Sequence, residues 1–184
     1  MPEDASPPVV ISPFANERVR QWPAAHFRGL IELIWRQHGL TTLVVGTRAQ
    51  RASANLIVRG LSSDVVTNCC GTMRWREVVA AVEAAPYVVA NNSGVAHLAA
   101  ARGRWTLCVF AASHSPLEWM PRGPQVVTVS RPLPCAPCSL GHARCPNGVA
   151  CMVDLSPADV FWRFDQARAK VFRDEAVERL EQTA

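Results

Sequence analysis

Short apolar runs alternate along the chain with longer segments whose apolar positions recur every three or four residues, the pattern of buried strands and amphipathic helices. Residues 9–12 read as a first strand. After a polar turn, Trp22-Pro23 opens a helix carrying Phe27, Leu30, Ile31 and Ile34 at helical spacing, and Gly39 ends it. Residues 41–45 form the next strand, closed by Gly46. The following segment, to residue 59, places Ala52, Leu56 and Ile57 on one helical face before Gly60 stops it. Val65-Val66-Thr67 leads through Gly71-Thr72 into a helix over about residues 74–84. A fourth strand over 87–90, a helix of small residues over 94–101 and strands over 106–110 and 126–129 complete the alternation. The pattern then breaks into a loop rich in Pro, Gly and Cys over 131–152. Ser156-Pro157-Ala158-Asp159 starts a last helix, 156–182, predicted to lie on the surface with a few apolar contacts from Val160, Phe161, Phe164 and Val171.

This alternation predicts a parallel sheet flanked by helices, a Rossmann-like α/β domain over residues 9–184, with 1–8 as a disordered N-terminal segment. Such sheets bind ligands at the carboxyl ends of their strands. The polar turns after Ser12, Gly46, Asn68 and Asn91 all fall at that edge, so residues distant in sequence are expected to converge there.

Composition narrows the class. The 184 residues are 49% hydrophobic and 18% charged with net charge +4, which suits one well-packed domain. Lys170 is the only lysine, and the arginines are scattered, which argues against a nucleic-acid surface. No apolar run reaches the length of a membrane span, and the acidic, proline-rich start is unlike a signal peptide. A cytoplasmic protein without a transmembrane segment is expected.

The richest chemistry lies where the fourth strand meets the small-residue helix, at Asn91-Asn92-Ser93-Gly94 with His97 one turn in. A strand that feeds a helix through such a turn leaves the first helical amides unpaired and able to bind phosphate or sugar oxygens. Ser93 and His97 share one side of the helix opening, and Gly94 lets a ligand approach the backbone. The plainer alternative is an N-cap serine beside a histidine satisfied in the core.

Four features stand in order: Ser12-Pro13 with Arg20-Gln21-Trp22-Pro23, then Val44-Val45-Gly46, then Asn91-Asn92-Ser93-Gly94 with His97, then Cys135-Ala136-Pro137-Cys138 through Cys151-Met152. From about residue 9 to 160 the series resembles the C-terminal half of the family 9 glycosyltransferases, the lipopolysaccharide heptosyltransferases. The resemblance implies the donor-binding half of a GT-B architecture, taking an ADP-sugar as substrate, with no cofactor and no catalytic metal. It implies transfer of a heptose or related sugar to a lipopolysaccharide core or similar glycan. The N-terminal domain, which holds the acceptor and supplies the proposed general base, has no counterpart expected in this sequence. The isolated domain is then expected to be inactive alone, and a full enzyme to associate peripherally with the inner face of the inner membrane.

By the same resemblance Ser93 and Gly94 meet the donor diphosphate, His97 lies beside it, and Arg20 replaces the lysine that reaches phosphate, with Arg18 a helper. A solvated loop arginine is the alternative at position 20. Asn92 stands where the pattern has an aspartate bonded to the sugar hydroxyls, so it brings amide bonding without charge. Met73 matches a position whose backbone lies near the adenine, although a core role suits it equally. Arg48 departs from the acidic residue expected near the ribose. A catalytically degenerate nucleotide-binding module lacking the acceptor domain is the rival reading, and a zinc-stabilised interaction domain a third.

Cys135, Cys138, Cys145 and Cys151 have the spacing of a structural metal site, with reduced thiols or a facultative disulfide as alternatives, none of them catalytic. Cys69, Cys70 and Cys108 read as small core residues.

Overall fold

The computed structural model describes residues 6–138 and 144–182. Six strands, β1 (Val9–Ser12), β2 (Thr42–Val44), β3 (Val66–Asn68), β4 (Tyr87–Asn91), β5 (Trp105–Val109) and β6 (Val126–Val129), form one sheet in the order β3-β2-β1-β4-β5-β6. All its neighbouring strands run parallel. Helices α1 (Ala24–His38), α2 (Arg51–Val58), α3 (Trp75–Ala84), α4 (Gly94–Ala101), α5 (Pro116–Trp119), α6 (Ala150–Val153) and α7 (Pro157–Gln182) connect and flank them. This is the expected Rossmann-like α/β fold.

Both faces of the sheet are covered, so the strands bury both of their alternating sides. Val9 and Ile11 share a core with Phe27, Leu30, Ile31 and Ile34, the apolar stripe of α1, all four of them fully buried. Val10 faces the other way, into a second core with Val88 of β4 and with Val78 and Val82 of α3. Gly39 closes α1 at φ +63°, a left-handed conformation that suits glycine, and its N–H donates to the Trp35 carbonyl at 2.8 Å. In α4, Ala96, Ala99 and Ala100 are buried, and side chains this small bring the helix close to the sheet.

The strand order reverses between β1 and β4, which pair through Val10 to Val88, Ile11 to Val89 and Ser12 to Ala90. Loops leaving two such strands diverge and open a crevice at their carboxyl ends. Here the two loops are those carrying Arg20 and Ser93.

Two expectations need correction. Helix α2 buries Ala54 and Ile57, whereas Ala52 is exposed and Leu56 is 63% exposed. A 3-10 turn over Arg48–Gln50 precedes α2, and the inward face comes out on Ala54 and Ile57 rather than on Ala52 and Leu56. Nor is α7 a surface helix in its first half: Val160 and Phe164 are fully buried, Ala167 nearly so, and the helix packs along α1. The start of α7 follows expectation. Ser156 Oγ accepts the Asp159 N–H at 3.2 Å, while the Ser156 hydroxyl at 2.7 Å and the Ser156 N–H at 3.0 Å both donate to Asp159 Oδ2 and hold the Asp159 carboxyl below its ordinary pKa. Helices α5 and α6 were not anticipated.

Residues 1–5 of the N-terminal segment, and 139–143 of the cysteine-rich loop, lie outside the described residues. No helix among the described residues is long and apolar enough to cross a membrane.

Candidate functional site

The carboxyl edge of the sheet holds a cavity of about 550 Å³, within the range of small-molecule sites. Arg20, Met73, Asn92, Ser93, Gly94 and His97 all line it, together with Ser12, Phe14, Gly46, Gln50, Trp75 and Trp119. Arg18 and Arg48 are not among its lining residues. Five loop regions build the site, each fixed by its own bonds.

The first loop is tied down by Asn91, which is fully buried at the end of β4. Its Oδ1 accepts the Trp22 N–H at 3.0 Å and its Nδ2 donates to the Pro13 carbonyl at 2.6 Å. The Trp22 indole donates to the Leu155 carbonyl at 2.8 Å, anchoring the same loop to the start of α7. Arg20 sits between these anchors. Its side chain is 13% exposed, so it is no solvated loop arginine, and one Nη2 lies 3.3 Å from Glu17 Oε1.

The second and third loops brace each other. Gln50 Oε1 accepts the Thr47 N–H at 2.8 Å, and the Gly71 N–H donates to the Gly46 carbonyl at 3.0 Å. Gly71 has φ +71°, and a Cβ there would lie 2.5 Å from the Arg48 Cα, so only glycine allows this approach. The arrangement carries Met73 to the cavity wall, where it also packs against the second core. Both readings of that methionine therefore apply.

The fourth loop supplies the polar groups. Ser93 is the N-cap of α4, yet its hydroxyl makes no capping bond. A Cβ built on Gly94 would meet no atom within 4 Å, so the backbone at the helix opening is unobstructed. His97 is exposed rather than set in the core, and its Nε2 lies 3.3 Å from Asn92 Oδ1. The N-cap-and-core-histidine alternative does not describe this arrangement.

Three buried polar atoms of these residues have no hydrogen-bond partner: Arg20 Nε, Asn92 Nδ2 and Ser93 Oγ. Buried polar groups are ordinarily satisfied, and leaving each unpaired costs about 1–3 kcal/mol. All three atoms belong to residues that line the one cavity. No aspartate or glutamate is among the lining residues.

Two functional elements escaped the sequence. Asn91 had been assigned only to the turn motif, because partners 69 and 78 residues away leave no local signal. Trp119, at the end of α5, forms part of the fifth wall and meets the His114 ring edge-on at 5.6 Å. Ser115-Pro116 ahead of it repeats the Ser-Pro start that revealed α7, so a signal for this helix was present.

The cysteines divide into two groups. Burial pushes the Cys108 thiol up to about 12 and, with the neighbouring Cys69, the Cys70 thiol up to about 11, so both stay protonated as small core side chains. Cys69 is half-buried. Cys135, Cys138, Cys145 and Cys151 are free thiols, and Cys145 Sγ accepts the Val149 N–H at 3.2 Å. Among the described residues, no three Cys, His, Asp or Glu side chains are grouped so as to hold a metal ion.

The family model for glycosyltransferase family 9 (heptosyltransferase) matches residues 2–147. Among solved structures, the ADP-heptose lipopolysaccharide heptosyltransferase II of E. coli aligns with TM-score 0.75 at 18% identity, covering 91% of this chain and 48% of that one. E. coli heptosyltransferase WaaC with ADP aligns with TM-score 0.72 at 20% identity, covering 91% and 46%. The iron-containing dodecameric glycosyltransferase TibC from enterotoxigenic E. coli gives TM-score 0.72 at 16% identity, covering 92% and 48%. The chain thus spans about half the length of these solved relatives. No curated protein matches it significantly.

Proposed function

The chain belongs to glycosyltransferase family 9, and from that premise we propose that its cavity binds the diphosphate of a nucleotide-sugar donor. The observation that carries this reading is the set of three unpartnered buried atoms, Arg20 Nε, Asn92 Nδ2 and Ser93 Oγ, beside the open start of α4. A diphosphate supplies acceptors for such groups, and the helix amides and dipole favour its charge. Solved relatives bound to ADP and to an ADP-heptose support adenosine as the nucleoside, with Met73 near the base.

In the reaction proposed for the whole enzyme, an acceptor hydroxyl forms a new bond to the anomeric carbon of a heptose or related sugar. The bond from that carbon to the β-phosphate oxygen breaks and its electron pair leaves with ADP. A base in an acceptor-binding domain takes the hydroxyl proton. This chain's share is to hold the donor and stabilise the leaving diphosphate through the Arg20 guanidinium and the amides after Ser93, with His97 beside them. The acceptor proposed is a lipopolysaccharide core or similar glycan, at the cytoplasmic face of the inner membrane. Asn92 also supports the rival reading, a binding module that has lost transfer activity. Transfer gained on Asn92→Asp with an acceptor domain added in trans would favour the enzyme reading.

Because no carboxylate among the described residues lines the cavity to hold a divalent cation, donor binding is proposed to need none. Calorimetric titration with ADP is expected to show one site per chain, with an affinity unchanged between magnesium and EDTA. No heat at millimolar ADP would contradict the site, and loss of binding in EDTA would contradict the metal independence.

A further inference from the structure

We propose that Asn92 gives this cavity a preference for an acidic sugar, a nucleoside diphosphate sugar whose carboxylate accepts hydrogen bonds from the Asn92 amide. The inference rests on the donor-binding reading above and names the class of sugar that site takes.

Asn92 is 2% exposed and its two polar ends are used unequally. With the proton on His97 Nε2, that N–H donates to Asn92 Oδ1 across 3.3 Å, so one acceptor site of the oxygen is used. Nδ2, carrying two N–H donors, has no partner. The Asn92 backbone N–H is already committed to the Val109 carbonyl at 3.3 Å. The wholly unpaired end of the side chain is therefore its donor end, the two N–H groups of Nδ2.

The surroundings agree in polarity. Arg20 Nε, another unpaired group of a cavity-lining residue, is also a pure donor, and Ser93 Oγ can donate. No carboxylate among the described residues lines the cavity. A sugar hydroxyl both donates and accepts, so it suits an aspartate or an asparagine. A sugar carboxylate only accepts, so it is tolerated only where the facing groups donate, and there its charge-assisted bonds are stronger than those of a hydroxyl. An aspartate in place of Asn92 would repel it.

The test compares ADP, ADP-glucose and ADP-glucuronate by calorimetry on the full chain and on Asn92→Asp and Asn92→Ala. The chain is expected to bind ADP-glucuronate about tenfold more tightly than ADP-glucose, the range of one charge-assisted hydrogen bond. Asn92→Asp should invert that order and Asn92→Ala should abolish it, the alanine variant serving if the aspartate variant fails to fold. Equal affinities for the two sugars in the unaltered chain would overturn the proposal. So would an Asn92→Ala variant that weakens ADP and both sugar nucleotides by one common factor, since the amide would then serve the diphosphate. Failure of ADP itself to bind would remove the donor-site reading, and this inference with it.

Discussion

Replacing Arg20 by alanine is expected to weaken ADP binding by about 10- to 150-fold, the loss of a hydrogen-bonded charge worth about 1.5–3 kcal/mol. Among the described residues Arg20 is the one arginine or lysine lining the cavity, so no other cation of that lining substitutes for it. Its Nε is buried without a partner, so in the unliganded protein the group is partly unsatisfied and has more to gain from an anion than an exposed arginine has. Arg20→Lys should fall between the two, because an ammonium keeps the charge but not the fork that grips phosphate oxygens in two places. The fold should be little affected. Glu17, the partner in the Arg20 ion pair, is 51% exposed, and such pairs contribute little to stability. Calorimetry against ADP and a melting curve measure the two effects separately. An Arg20→Ala variant that binds ADP as tightly as the unaltered chain would remove the guanidinium from the site.

Asn91→Ala is expected to lower folding stability by about 2–6 kcal/mol, since it orphans two buried backbone groups at about 1–3 kcal/mol each. Those groups are the Trp22 N–H and the Pro13 carbonyl, at opposite ends of the loop that carries Arg20. Against a typical domain stability of about 5–15 kcal/mol the loss is large. Asn91→Asp should be no milder, because a carboxylate accepts from Trp22 but faces the Pro13 carbonyl without a proton to give. Urea denaturation followed by circular dichroism measures the change. A loss below about 0.5 kcal/mol, the scale of an ordinary surface substitution, would mean that the loop is held by other contacts.

The strands and most helices were legible because their signals are local. In α1, Phe27, Leu30, Ile31 and Ile34 repeat at the helical period, and glycine ends the pattern at Gly39, so the stripe can be read without knowing what it packs against. The residues converging on the cavity were legible for a related reason. Once the strands are placed in a parallel sheet, Ser12, Gly46 and Asn91 mark one edge, and the chain between them has few other places to go.

What depended on distant partners was not legible. Asn91 is an ordinary strand-ending asparagine in sequence, and its role appears only when the first loop lies against it. The inward face of α2 was misjudged because apolar residues on both sides of a short helix leave its orientation to the neighbouring strands, and Leu56 was left outside. In α7 the contacts of Val160 and Phe164 are readable from the sequence, but the charged residues of the second half conceal how deeply the first half packs, Ala167 included. Helix α5 spans four residues, too few for periodicity to register, although its Trp119 reaches the cavity.

The proposed donor site requires the start of α4 and the Arg20 loop to grip a diphosphate together. A crystal structure of the chain with ADP is the decisive test. The diphosphate oxygens are expected within hydrogen-bond distance of Arg20 and of the backbone amides that follow Ser93. A diphosphate bound elsewhere on the protein, or pointing out of the cavity with Arg20 still engaged only by Glu17, would contradict it.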